Sequence, residues 1–196
     1  GSTTGASGFL NATGTAARFN NPQGIAVDAS GNLYVTDTNN VLVRRIAASD
    51  GAVTTFAGIA FSQGAQDGSF GVGTLYYPYG IAVDSAGFVY VTDDRTMLLR
   101  KIAPNGTLST IGGLPGWFGG NDGVGENARF NNPSLLTLDP ATGTLYFADT
   151  FASDGTTTTN GNAIRKGVPS TFPLPPAIIA STSSQTTYTG GMATFS

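Results

Sequence analysis

The sequence predicts an all-β protein built from three repeated, four-stranded antiparallel units, and three observations carry that prediction. The segment 24–37 returns at 80–93, identical at ten of fourteen positions, and a looser third copy occupies 135–149. Pro22, Pro78 and Pro133 are 56 and 55 residues apart and Asp37, Asp93 and Asp149 are 56 apart each, which sets one supersecondary unit per period. The composition points the same way: 28 Gly and 10 Pro in 196 residues, with 11% charged, leave little room for long helices. Each copy also places short apolar runs between turn signals at hairpin spacing.

The strands follow in order. A first apolar run (25–27, 81–83 and 135–138) ends at Asp28, Asp84 or Asp139, and a glycine-containing turn leads into an alternating second run such as Leu33-Tyr34-Val35. A third strand is expected at 41–46, 97–102 and 163–166. A fourth follows the Asp50-Gly51 and Asn105-Gly106 turns, at 52–57 and 107–111. Copies one and two are thus complete up-and-down units, the signature of a β-propeller blade, whereas copy three runs from Lys166 into Gly167-Val168-Pro169 without its own outer strand.

The run Pro-x-Gly-Ile-Ala-Val-Asp, then Gly-x-x-Tyr-Val-Thr-Asp, then Arg-Arg-Ile or Arg-Lys-Ile, with Ala-Arg-Phe-Asn-Asn-Pro leading in at 17–22 and 128–133, resembles the NHL-repeat propellers. The resemblance covers about residues 5–168. It implies a partial propeller of three blades, approximately 1–58, 59–113 and 114–168, read as the last three of a larger ring. Function is left open, because such propellers serve as binding scaffolds and occasionally as enzymes. A stiff proline-rich linker is expected at 169–176. Residues 177–196 resemble the first strands of a bacterial immunoglobulin-like domain, too few to fold alone; they are either a mobile tail or a strand that borrows the vacant outer position of blade three.

Absences narrow the chemistry. Without His or Cys there is no imidazole base, no Ser-His-Asp triad, no thiolate nucleophile, no His- or Cys-bound zinc and no disulfide. A net charge of −3 speaks against nucleic acid, and no apolar run is long enough to enter a membrane as a helix. The acids Asp28, Asp84, Asp139, Asp37, Asp93 and Asp149 recur in equivalent slots and are expected to bind turn amides. The bases Arg44, Arg45, Arg100, Lys101, Arg165 and Lys166 recur at one strand position and are expected to pair between blades or face solvent. Asp67-Gly68 and Asp122-Gly123 lie in the long inter-blade connections, so Asp67 and Asp122 are candidates for a structural Ca²⁺; no other cofactor is expected.

Aromatic residues outside the repeat supply the candidate ligand site. The antiparallel zigzag sends the inter-blade connections and the loops between second and third strands to one face of the blades. Phe61 and Phe70 of the first connection, Tyr76 and Tyr79 at its end, Trp117 and Phe118 of the second, and Phe151 at the start of a threonine-rich insertion are expected there. Phe19, Tyr77 and Phe130 are assigned to a common lead-in slot and to packing. The residues best placed to anchor a ligand are Trp117, Phe118, Phe151, Phe61 and Tyr79.

The expected function is non-catalytic recognition of a protein or glycan by the loop face of an exported bacterial scaffold protein. Export is inferred from the immunoglobulin-like start, the 27 Thr and the low charge. The alternatives are a lyase or hydrolase using Asp28, Asp84 and Asp139 near a central channel, or a structural spacer. Two copies of the chain would supply six blades, so a ring-closing homodimer is a further expectation.

Overall fold

The computed structural model describes residues 5–152, 161–168 and 177–182. Three antiparallel sheets follow one another along the chain. The first holds β1 (Pro22–Val27), β2 (Leu33–Asp37), β3 (Leu42–Ile46) and β4 (Val53–Ala57) in sequential order. The second repeats it with β5 (Pro78–Val83), β6 (Val89–Asp93), β7 (Leu98–Ile102) and β8 (Leu108–Gly112). The third comprises β9 (Gly123–Val124), β10 (Pro133–Leu138), β11 (Leu145–Ala152), β12 (Gly161–Val168) and β13 (Ala177–Thr182), ordered β10-β11-β12-β13-β9. No α-helix occurs among the described residues, and no helix is long and apolar enough to cross a membrane.

The proline that opens each inner strand pairs with the aspartate that ends the second strand: Pro22 with Asp37, Pro78 with Asp93, Pro133 with Asp149. A bulge follows each proline, which suits a residue that has no N–H to give to a ladder. In the third blade the outer position left vacant by residues 163–168 is taken by Ala177–Thr182, which pairs with β12 from Ile164↔Thr182 to Val168↔Ala177 and carries β9 on its far edge.

The core lies between blades. Tyr34, Val43 and Phe56 of blade one meet Ile81, Val91 and Leu108 of blade two, and Tyr90, Leu99 and Ile111 of blade two meet Phe130, Leu145 and Phe147 of blade three. Strand alternation makes this possible: on β2, Tyr34 and Thr36 face the next blade while Val35 faces the previous side. The inner strands approach so closely that a Cβ on Gly24 would stand 2.6 Å from the Tyr79 carbonyl oxygen. One on Gly80 would stand 2.6 Å from the Leu136 nitrogen and nearer still to the Ser134 carbonyl. A threonine hydroxyl ties each junction, accepting from the glycine N–H and donating to the neighbour: Thr36 to the Tyr79 carbonyl at 2.8 Å and Thr92 to the Ser134 carbonyl at 2.5 Å.

A buried arginine organises each blade from its third strand. Arg44, Arg100 and Arg165 have no solvent exposure. Each faces the aspartate of its own second strand, Asp37 at 2.7 Å, Asp93 at 4.0 Å and Asp149 at 3.7 Å. Each also donates to the chain segment that leads into its blade: Arg44 to the carbonyls of Leu10 and Arg18, Arg100 to those of Gln66 and Thr74, Arg165 to those of Gly120 and Asn121. A side chain in the same segment completes the set, namely Asn11, Asp67 or Asp122. The aspartates return the grip by accepting lead-in amides, those of Asn20 for Asp37, Tyr76 and Tyr77 for Asp93, and Asn131 and Asn132 for Asp149. The pairing expected between blades is therefore made within each blade and its own lead-in segment.

Replacing Arg100 by Ala leaves Asp93 buried without its cation, a loss of about 3–5 kcal/mol. The denaturant midpoint of the variant should fall accordingly, with the slope of the transition unchanged.

Candidate binding face

The loops converge as the zigzag requires. Asp37 pairs with Leu42 and Val43 with Ala57, so the loop 38–41 and the start of the connection 58–77 share one end of blade one. Blade two repeats this with loop 94–97 and connection 113–132.

At this end Leu114, Pro115, Gly116 and Trp117 form a reverse turn in which the Trp117 N–H donates to the Leu114 carbonyl at 3.1 Å. Proline at the second place and glycine at the third with φ +77° give the type II geometry. The turn presents two adjacent aromatics to solvent, Trp117 at 65% exposure and Phe118 at 69%. The corresponding turn after β4 closes from Ser62 N–H to the Ile59 carbonyl at 3.0 Å, with Phe61 in the glycine place at φ +63°. Phe61 is 70% exposed, and its ring meets Phe9 edge-to-face at 6.0 Å. Tyr79 is half-buried and stacked on Tyr77 at 6.5 Å, with Arg95 lying 5.6 Å from the Tyr77 ring. The side chain of Phe151 and the insertion 153–160 lie outside the described residues.

Two sequence assignments are corrected here. Phe70 is not on this face: the connection runs down the outer edge of blade two, with Gly68 bridging Leu108, and delivers Phe70 to the Gly106 turn at the opposite end. The lead-in slot of Phe19 and Phe130 is filled in blade two by Leu75, not Tyr77. The carbonyls of Phe19, Leu75 and Phe130 accept from Gly8, Gly64 and Gly119 respectively, which fixes the register.

Asp67 and Asp122 hold buried arginines. Asp67 lies 2.9 Å from Arg100 and accepts from the amide and hydroxyl of Thr110, while Asp122 lies 3.1 Å from Arg165. Among the described residues, no group of three or more acidic side chains is placed to share a cation. Asp28, Asp84 and Asp139 are at the end of the blades away from the loop face, accepting turn amides from Ser30 and Asn32, Ala86 and Phe88, and Ala141.

One residue pair on the loop face escaped the sequence reading. Asp94-Arg95 stands where blade one has Thr38-Asn39, immediately after the best-matched part of the repeat. Thr38 donates to the Pro78 carbonyl of the next blade at 2.6 Å. Asp94 has instead a buried Oδ1 with no hydrogen-bond partner, and Arg95 is 3.9 Å from its other oxygen. Burial pushes the Asp94 carboxyl above the usual range; Arg95 opposes this, and Asp93 and Asp149 add to it. The signal available was the appearance of two charges where the first copy has uncharged residues.

Comparison with known proteins accords with this architecture. A model of the NHL repeat matches residues 19–46 and a model of a β-propeller repeat matches residues 66–92. This is a partial β-propeller with NHL-type blades. The propeller is 28% identical over 145 residues to teneurin-3 of Mus musculus, covering 61% of the chain and 5% of the relative, and 29% identical over 162 residues to teneurin-3 of Danio rerio, covering 71% and 6%. It thus spans about a twentieth of the curated relatives it matches. Among solved structures, the propeller overlays an auxiliary nutrient binding protein from Bacteroides ovatus with a TM-score of 0.55 and 19% identity, covering 68% of this chain and 36% of that one. A chain of the nidogen/laminin complex gives 0.52, 21%, 75% and 44%, and a gluconolactonase from Xanthomonas campestris 0.51, 16%, 82% and 48%. At these identities the structures speak for the fold alone.

Replacing Asp94 by Thr gives the propeller at its second junction the donor that Thr38 supplies at the first, and removes a buried carboxylate oxygen that has no hydrogen-bond partner. Stability should rise by about 1–3 kcal/mol, read as a higher denaturant midpoint.

Four of the repeat's aspartates should titrate in two pairs. Burial pushes Asp93 and Asp149 up despite the amides and arginines they face. At Asp28 desolvation pushes upward but the bonds from Asn32, Ser30 and Tyr34 hold the carboxyl below its ordinary value; at Asp139 the Thr142 hydroxyl does so. Asp28 and Asp139 therefore stabilise the fold fully above 3.8, and that contribution is lost as pH falls through their lowered values. Asp93 and Asp149 act in the opposite sense, favouring the fold below 3.8 and less so as pH rises through their raised values. Carboxyl-carbon NMR on acidification should show Asp93 and Asp149 protonating before Asp28 and Asp139.

Proposed function

We propose that the loop face of this propeller is a non-catalytic recognition surface of an exported protein, taking a protein or glycan ligand. The observation that carries the reading is the Leu114–Trp117 turn, which holds Trp117 and Phe118 side by side and mostly in solvent where the first blade's connection has Ser62 and Gln63. Adjacent exposed aromatics on a backbone pinned by proline and a glycine-dependent turn form a preorganised anchor, since little ordering is left to be done on binding. Phe61 with Phe9, and Tyr77 with Arg95 and Asp94, add aromatic and charged groups at the same end of the blades.

The likeness to an auxiliary nutrient binding protein and to a chain of the nidogen/laminin complex fits a recognition role while the likeness to a gluconolactonase fits the enzymic alternative, and the likeness to teneurin-3 supports an extracellular setting. The absence of His and Cys, together with the binding of Asp28, Asp84 and Asp139 to their own turns, weighs against the enzymic alternative.

Trp117 is the only tryptophan, so its emission reports directly on occupancy of the face. A glycan and protein array should give ligands that shift this emission. The Trp117→Ala, Phe118→Ala double variant should lose at least about thirtyfold in affinity for them, as loss of an anchor of about 2 kcal/mol implies. Both side chains are exposed, so stability should change by no more than about 0.5 kcal/mol. Ligands bound equally well by the double variant would refute this reading.

A further inference from the structure

Both ends of the blade stack present apolar sheet faces. Blade one exposes Ile25 at 64% and Val27 at 59%, over a groove of about 280 Å³ lined also by Phe19, Val35 and Ile46. Blade three exposes Leu135 at 65% and Ile164 at 49%, over a groove of about 290 Å³ that includes Tyr146 and Ala148. The internal junctions show what a blade in this protein needs in order to receive its neighbour. The side facing the next blade carries a glycine on the inner strand, Gly24 or Gly80, where the neighbour's backbone leaves no room for a Cβ. It also carries a threonine on the second strand, Thr36 or Thr92, whose hydroxyl joins that glycine N–H to the neighbour's carbonyl.

Blade three has neither. With Pro133 and Asp149 aligned to Pro78 and Asp93, the glycine place is held by Leu135 and the threonine place by Ala148. A leucine side chain stands where even one carbon would strike the incoming strand, and the hydroxyl that would accept and donate is missing. Blade one shows the reverse: Ile25, Val27 and Val35 repeat Ile81, Val83 and Val91, the side of blade two that already receives a neighbour.

We propose that the stack is polar. The open face of blade one receives a further NHL-type blade that bears glycine and threonine in the places of Gly24 and Thr36. The outward face of blade three, with leucine and alanine in those places, does not receive a blade in the manner of the two internal junctions, and a second copy of this chain does not close a six-bladed ring against it. The partner assigned to blade one is a blade of this same chemistry, by continuity with the two junctions inside the chain.

The 196-residue chain, which lacks cysteine, tests this by cross-linking. At the first internal junction Ala26 and Val83 pack on one cluster, and their counterparts across a ring-closing contact are Thr137 of one copy and Val27 of the other. These two lie on opposite outer faces of the stack, so a short bismaleimide between Thr137→Cys and Val27→Cys joins two chains. With Leu135 and Ala148 in place, no two-copy product is expected. Adding Leu135→Gly and Ala148→Thr should raise the product about tenfold or more, the effect of relieving one overpacked contact. Both substitutions copy what blades one and two already carry, so the fold is kept, and Ala148→Thr alone should leave the chain without product. Efficient cross-linking with Leu135 and Ala148 unchanged would overturn the proposal. So would its absence from the double substitution, because then these residues are not the bar.

Discussion

A guanidinium with no solvent around it must be answered by charge and by acceptors, and the way each blade answers its arginine determines the rest of the structure. The second strand supplies a carboxylate, but the carbonyl acceptors come from the segment that precedes the blade, 26 to 45 residues earlier in the chain. That requirement pulls every inter-blade connection down along the outer strand of the blade it enters, where Thr13 bridges Ala52, Gly68 bridges Leu108 and β9 pairs with β13. The outer edges are thereby covered, which removes the unpaired strand edge that invites association with other chains. The turns that carry Phe61 and Trp117 sit where those connections leave the preceding blade.

The three arginines are not answered identically. Arg44 has Asn11 where the others have aspartate, and gains Phe9 and Phe19 at 5.1 Å from its guanidinium. Arg100 has Asp67 but lacks the ring, because Leu75 stands in the slot of Phe19 and Phe130. Arg165 has both Asp122 and Phe130, the latter at 5.2 Å. A carboxylate and an aromatic face are partial substitutes around a desolvated cation, so each can be exchanged while the clamp persists.

The strands and the blade count were legible because they rest on local pattern: apolar alternation, turn residues and a fixed period at Pro22, Pro78 and Pro133. The paths of the connections were not legible. Nothing near Phe70 reveals that Arg100 and Thr110 hold Asp67 and so direct the chain to the far end of blade two. The borrowed strand Ala177–Thr182 could be offered only as one of two courses, because its pairing is fixed by β12 and not by its own residues. The candidate site divided along the same line. Trp117, Phe118 and Phe61 stood out as aromatics off the repeat, whereas Asp94 and Leu135 required knowing what their counterparts Thr38 and Gly80 touch. In a repeat protein the shared residues report the scaffold, and single departures from the shared pattern report what is particular to the chain.

The arginine clamp also bears on how the chain reaches this structure. Each lead-in segment is made well before the arginine that holds it, and the carbonyls that the arginine takes find their donor only when the third strand of the same blade is in place. Local hairpins such as Val27 to Leu33 can form early, since their pairing spans a few residues. Locking a blade waits on loop closures of 26 to 45 residues, whose entropy must be met before the contacts reward it. Blades should therefore become fixed one at a time, each only after its own third strand arrives, and the third last of all because it needs a strand from beyond residue 176.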